Sequence, residues 1–197
     1  MKKLTLGKRK HSIGTARRLT ESALMIAFAT VLSLLKLISL PYGGSVTAAS
    51  MLPLIIIAYR YCAAWGLFTG LVHGSLQMLL DPGVFSYVTG WKAALAVVLL
   101  DYVLAFALIG LAGLWRPVPG NSRATLAAGG ITACLCRYLC HVFSGATVWA
   151  GLSIPSEEAL TFSFSYNATY MLPETVLTVV VAVVLLPRLT GAKKQSV

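Results

Sequence analysis

Between Ala93 and Trp115 the chain passes through apolar residues with a single charged interruption, Asp101. A run of this length matches the hydrocarbon thickness of a bilayer when wound as a helix. An ionised side chain inside such a run is costly unless a partner or a watered cavity receives it. That one segment restricts the chain to a membrane fold and makes its carboxylate a candidate functional group. Composition agrees: 57% of the 197 residues are hydrophobic and 11% charged, with a mean hydropathy of +0.80, outside the range of soluble domains.

Further apolar runs lie near 19–40, 49–60, 62–80, 124–149 and 164–188, separated by Pro- and Gly-rich turns such as Pro41-Tyr42-Gly43-Gly44 and Asp81-Pro82-Gly83. The expected fold is an all-α integral membrane protein, a bundle of six transmembrane helices. Residues 1–18 form a basic cytoplasmic tail, 19–188 the membrane domain and 189–197 a cytoplasmic C-terminal tail. The first run lacks a small-residue cleavage site and reads as a span, not a signal peptide. Seven of the sixteen basic residues fall within the first eighteen positions. With Arg60, Arg116, Arg123, Arg188, Lys193 and Lys194, they place basic loops on one side, whereas Asp81, Glu157 and Glu158 fall on the other with Lys92. The positive-inside rule then puts both termini in the cytoplasm. The net charge of +10 is a membrane-flanking pattern; no aromatic and basic residues interleave as a nucleic-acid groove requires.

Cys62, Cys134, Cys136 and Cys140 sit in apolar segments and fit neither a disulfide framework nor zinc-ligand spacing. Gly66, Gly70 and Gly74 form a GxxxGxxxG stripe, and Ala23 and Ala27 an AxxxA pair. Each stripe lets another backbone approach closely, either within the bundle or from a partner. No repeat or inverted duplication is visible.

Asp101 and His141 are each about ten residues from the same membrane surface and share a depth. Arg137, His141, Gly145 and Trp149 recur every four positions on one helix face, and Asn167, Tyr170 and Glu174 follow an i, i+3, i+7 pattern. The small Ser144 and Gly145 between His141 and Trp149 leave room for a flat ring. Two readings are open. Asp101 or Glu174 pairs with Arg137, with Lys36 available to the leftover acid, or these side chains surround a flat, nitrogen-rich, cationic ligand. Aromatic faces and a carboxylate suit such a cation, and a carboxamide offers it a donor and an acceptor.

The sequence contains no GxxxxGK[ST], HExxH or GxSxG, so it carries no ATP site of that kind and is read as a substrate-capturing subunit, not an enzyme. An intramembrane enzyme using Asp101 and His141 is the alternative of another class.

Four stretches together resemble a known family: Gly43-Gly44-Ser45-Val46 followed by Met51-Leu52-Pro53, LLDYVLAFALIGLAGLW at 99–115, HVFSG at 141–145 with Trp149, and SFSYNATYMLPE at 163–174. They resemble the thiamine-specific substrate-binding (S) components of energy-coupling factor (ECF) transporters, the ThiT or YuaJ family. The resemblance implies a bacterial cell-membrane protein that captures thiamine from outside. Uptake would be driven by a transmembrane coupling subunit and two ATPase subunits, with ATP used only by those partners. It implies substrate-binding positions at Asp101, Tyr102, His141, Gly145, Trp149 and Asn167. Phe162 and Tyr42 stand where some members have tyrosine and tryptophan. Ala23 and Ala27 take the position of the face that docks the coupling subunit. An S component for another heteroaromatic vitamin or a pyrimidine precursor is the rival within this class.

Overall fold

A computed structural model of the chain describes residues 14–116, 122–148 and 156–189. Its helices are α1 (Thr15–Leu34), α2 (Leu52–Arg60), α3 (Ala63–Leu80), α4 (Trp91–Trp115), α5 (Ser122–Val148) and α6 (Glu157–Leu189). Three of them, α4, α5 and α6, are long and apolar enough to cross a membrane by length and composition. Trp149, most of the basic N-terminal tail, the turn at 117–121 and the C-terminal tail lie outside the described residues.

The first helix differs from expectation. It begins at Thr15, inside the expected tail, and stops at Leu34, and the chain then forms a hairpin of β1 (Lys36–Ser39) and β2 (Ser45–Thr47). The strands are antiparallel, with Ile38 opposite Val46 and Ser39 opposite Ser45. Pro41 disfavours helical backbone at Leu40. The turn is tightened by left-handed backbone at Tyr42 (φ 65°) and Gly43 (φ 93°). Apolarity alone does not distinguish such a strand from the end of a helix.

The last helix begins earlier than the expected 164. Ser156 Oγ accepts the Ala159 amide at 3.1 Å, and Glu157 and Glu158 occupy the first turn, where a cap and negative charge both stabilise a helix N-terminus. Along one side of α6, Leu172, Val176, Val180 and Val184 recur every four residues and are all exposed. An uninterrupted apolar stripe of that kind suits lipid.

By contrast, α2 is apolar all round and buried on nearly every side, from Leu52 to Ala58, as a short central helix should be. Its Leu54, Ile55 and Ala58 join Ile26 of α1, Phe106, Ile109 and Ala112 of α4, and Ala133 of α5 in the main apolar core.

The glycine stripe of α3 packs inside the bundle. A Cβ on Gly70 would stand 2.2 Å from the Phe106 carbonyl oxygen, one on Gly74 2.3 Å from that of Tyr102, and one on Gly66 2.8 Å from Gly110 Cα. Helices α3 and α4 therefore cross with their backbones in contact. Helix α4 is not uniform: after an α-helical start it widens to a π-helix over Val98–Leu104 and tightens to a 3-10 helix over Leu108–Trp115. The wide turn carries Asp101 and Tyr102.

At the opposite end from the hairpin, Glu21 pairs with Arg17 at 2.8 Å and Arg60 at 3.1 Å and accepts the Tyr61 hydroxyl at 2.5 Å. The Arg18 guanidinium lies 4.0 Å over the Trp65 ring, and Arg116 donates to the Tyr61 carbonyl. Basic residues of α1 and α2, and Arg116 just past α4, thus share one end of the bundle.

Candidate ligand-binding site

A cavity of about 370 Å³ lies beneath the hairpin, walled by α1, α3, α4, α5 and α6. Its volume falls in the range of small-molecule sites. Asp101, Tyr102, His141, Gly145, Phe162, Asn167 and Tyr42 all line it, so the residues singled out from the sequence converge, Trp149 alone lying outside the described residues.

Asp101 and His141 meet across α4 and α5, Nδ1 to Oδ1 at 2.7 Å, and Ser144 donates to Asp101 Oδ2 at 2.5 Å. On the other side of the imidazole, Arg137 Nε donates to His141 Nε2 at 3.2 Å. A guanidinium can only donate, so Nε2 offers its lone pair and the ring proton sits on Nδ1, directed at Asp101. Both donors to the carboxylate are neutral groups. The direct Asp101–Arg137 ion pair weighed above does not form: a neutral imidazole stands between them, and the guanidinium lies 4.4 Å over the Phe106 ring.

Glu174 pairs with neither Arg137 nor Lys36. Its carboxylate, 2% exposed, accepts the Thr47 amide at 2.5 Å and the Thr47 hydroxyl at 2.7 Å, which anchors the base of the hairpin to α6. At the hairpin turn, Tyr166 donates to the Pro41 carbonyl and accepts the Gly44 amide. Lys36 lies on β1 beyond the helix end and pairs with Asp81 at 2.6 Å.

Two assigned roles change in detail. Gly145 does not leave an open slot, since a Cβ there would meet Ser163 Oγ at 2.3 Å. The glycine lets α6 close on α5. The Asn167 amide is engaged within the protein, accepting the Tyr170 hydroxyl at 2.5 Å and donating to the Ser163 carbonyl at 2.8 Å. Tyr102 donates to the Asp81 carbonyl at 3.1 Å and stacks on Phe85. Phe162 stacks on Tyr166, which meets Tyr42 edge-on. The mouth of the cavity is therefore aromatic.

The sequence reading passed over Ser33, Gln77 and Thr47, which also line the cavity. The i, i+4 pair His73 and Gln77 inside an apolar run was the available signal for Gln77; Ser33 carried none, and neither did Thr47, because its role depends on the hairpin.

An apolar exterior around an aromatic-mouthed cavity that holds a carboxylate, an imidazole and a guanidinium defines a helical membrane protein with a small-molecule site. A sequence model of the thiamine transporter protein family (Thia_YuaJ) matches residues 19–194, and the chain belongs to that family. Among curated relatives, the thiamine transporter ThiT of Bacillus subtilis (strain 168) is 31% identical over 191 residues, covering 90% of this chain and 95% of its own. The thiamine transporter ThiT of Lacticaseibacillus paracasei is 28% identical over 193 residues, covering 88% and 90%. A solved structure of ThiT from Listeria monocytogenes superposes with a TM-score of 0.70 at 22% identity, covering 88% of this chain and 95% of that one; it shares the fold.

Proposed function

We infer that this chain binds thiamine in the cavity beneath the hairpin and is the substrate-capturing S component of an ECF-type transporter in the bacterial cell membrane. The observation that carries the reading is Asp101, a cavity-lining carboxylate held among the described residues by neutral donors, His141 Nδ1–H and the Ser144 hydroxyl. A negative charge out of bulk water without a directly bonded cation favours a cationic ligand, and thiamine's thiazolium is permanently cationic. The aromatic mouth of Tyr42, Phe162 and Tyr166 suits the same charge. The family relationship and the transporter names of the relatives support thiamine as that ligand.

In this reading six helices cross the membrane with both termini inside, and the ligand enters from outside beneath the hairpin. A coupling membrane subunit and two ATPase subunits supply the energy. Ala23 and Ala27, exposed on α1, form the face presented to the coupling subunit, and Trp149 adds an indole to the site.

Calorimetric titration of the detergent-purified protein with thiamine tests the site. Saturable binding is expected, weakened roughly tenfold or more in Asp101→Ala because a hydrogen bond to a charged group is lost. Binding of wild-type strength in both Asp101→Ala and His141→Ala would refute the assignment.

A further inference from the structure

Along the α1 and α3 side of the cavity runs a polar chain whose proton directions are fixed by its ends. Thr30 Oγ1 donates to the Ile26 carbonyl at 2.9 Å, and Ser33 Oγ to the Thr30 carbonyl at 2.7 Å. A carbonyl can only accept, so each hydroxyl has spent its proton and can only accept from other side chains. The contact between Thr30 Oγ1 and His73 Nδ1 at 3.4 Å therefore has His73 as donor, which leaves the lone pair on its Nε2. Gln77 Nε2 lies 3.3 Å from that lone pair and 2.6 Å from Ser33 Oγ. Both amide protons of Gln77 are thereby engaged, one by each acceptor.

The carboxamide cannot be turned over without placing its oxygen against two acceptors. His73 is fully buried and its ring sits edge-on to Phe106, so the chain is rigidly backed. Gln77 and Ser33 line the cavity, and among the described residues no hydrogen bond to Gln77 Oε1 is formed. The result is a carbonyl acceptor of defined orientation on the α3 side of the cavity.

The geometry points to Gln77 as a second recognition residue, whose side-chain oxygen accepts a hydrogen bond from the ligand's hydroxyl, with His73 and Ser33 as positioning residues. This rests on thiamine being the ligand. Thiamine has two groups that can donate, the exocyclic amine of its pyrimidine and the hydroxyl of its hydroxyethyl arm. Asp101 is the acceptor suited to the amine where it lies beside the cationic thiazolium, and Gln77, a neutral carbonyl, is an acceptor suited to the hydroxyl of the arm. A pocket that orients an acceptor toward the ligand discriminates against an analogue lacking the donor, because that hydrogen bond is then lost.

The test is a two-by-two titration of purified wild type and Gln77→Met with thiamine and with its analogue carrying an ethyl arm in place of hydroxyethyl. Wild type should prefer thiamine by about three- to tenfold, and Gln77→Met should bind the two ligands equally. Ser33→Ala, which frees one amide proton of Gln77 and loosens its orientation, should narrow the preference without abolishing it. Equal binding of the two ligands by wild type would overturn the inference while leaving the thiamine site standing. So would an undiminished preference in Gln77→Met. Failure of wild type to bind either ligand would overturn the thiamine reading itself, and this inference with it.

Discussion

Replacing Gly74 by alanine tests the crossing on which the site depends. Within a helix, glycine to alanine stabilises by roughly 0.5–1 kcal/mol when the new methyl meets nothing. At Gly74 it would stand 2.3 Å from the Tyr102 carbonyl oxygen and 3.0 Å from Phe106 Cβ. Backbone cannot rotate away as a side chain does, so α3 and α4 must separate by about 1 Å to restore ordinary contact, an overpacking that costs about 1–3 kcal/mol. For a chain of this size the loss lowers the melting temperature by roughly 2–12 °C. Because Tyr102 and Asp101 share the π-helical turn, the separation also moves the carboxylate relative to His141, and thiamine binding should weaken together with stability. The assay is thermal unfolding in detergent followed by size exclusion, with Gly130→Ala as the control. There the new methyl meets only Val179 Cγ2, at 3.3 Å, a side-chain atom able to shift, and stability should hold. A Gly74→Ala protein as stable as wild type would refute the close crossing.

Glu174→Ala should leave the Thr47 amide without its acceptor and lower stability by about 3 kcal/mol, with hydrogen exchange in residues 45–47 rising before that of α2. Lys36→Ala should cost under about 1 kcal/mol, since its pair with Asp81 is largely solvated; a loss several times larger in a thermal melt would mean that the pair is shielded. Arg18→Lys keeps the charge but loses the planar contact with Trp65, and should destabilise by about 1 kcal/mol, read from the same melts.

The site was legible where helical period was enough. Asp101 and His141, forty residues apart in sequence, were matched by depth, and they lie 2.7 Å apart. The apolar stretches and the grouping of basic residues near Arg17, Arg60 and Arg116 likewise needed only composition and spacing. What escaped depends on tertiary contact. Lys36 to Leu40 are apolar enough to prolong α1, and only pairing with Ser45–Thr47 makes a strand of them. Asp101 and Glu174 each had Arg137 as a plausible counterion by sequence. The choice of His141 for one and Thr47 for the other follows from where the hairpin lies and which way the wide turn of α4 faces. Gly145 was read as room for a ligand, but a missing side chain says nothing of who uses the space, and Ser163 does.

The π-helical turn at Val98–Leu104 makes chain length a variable at this point of α4. In a regular α-helix, removing one residue turns everything beyond it by about 100°, which would swing Phe106 and Gly110 away from the α3 glycines. A π-helical turn holds a surplus residue, so a deletion there can be absorbed by reverting to α geometry, with both flanks kept in register. Relatives whose fourth helix differs by one residue should therefore be aligned with the gap inside 98–104. Insertion and deletion at this turn, more than exchange of side chains, is the route by which the acid facing His141 could be re-aimed while the rest of the bundle stays unchanged.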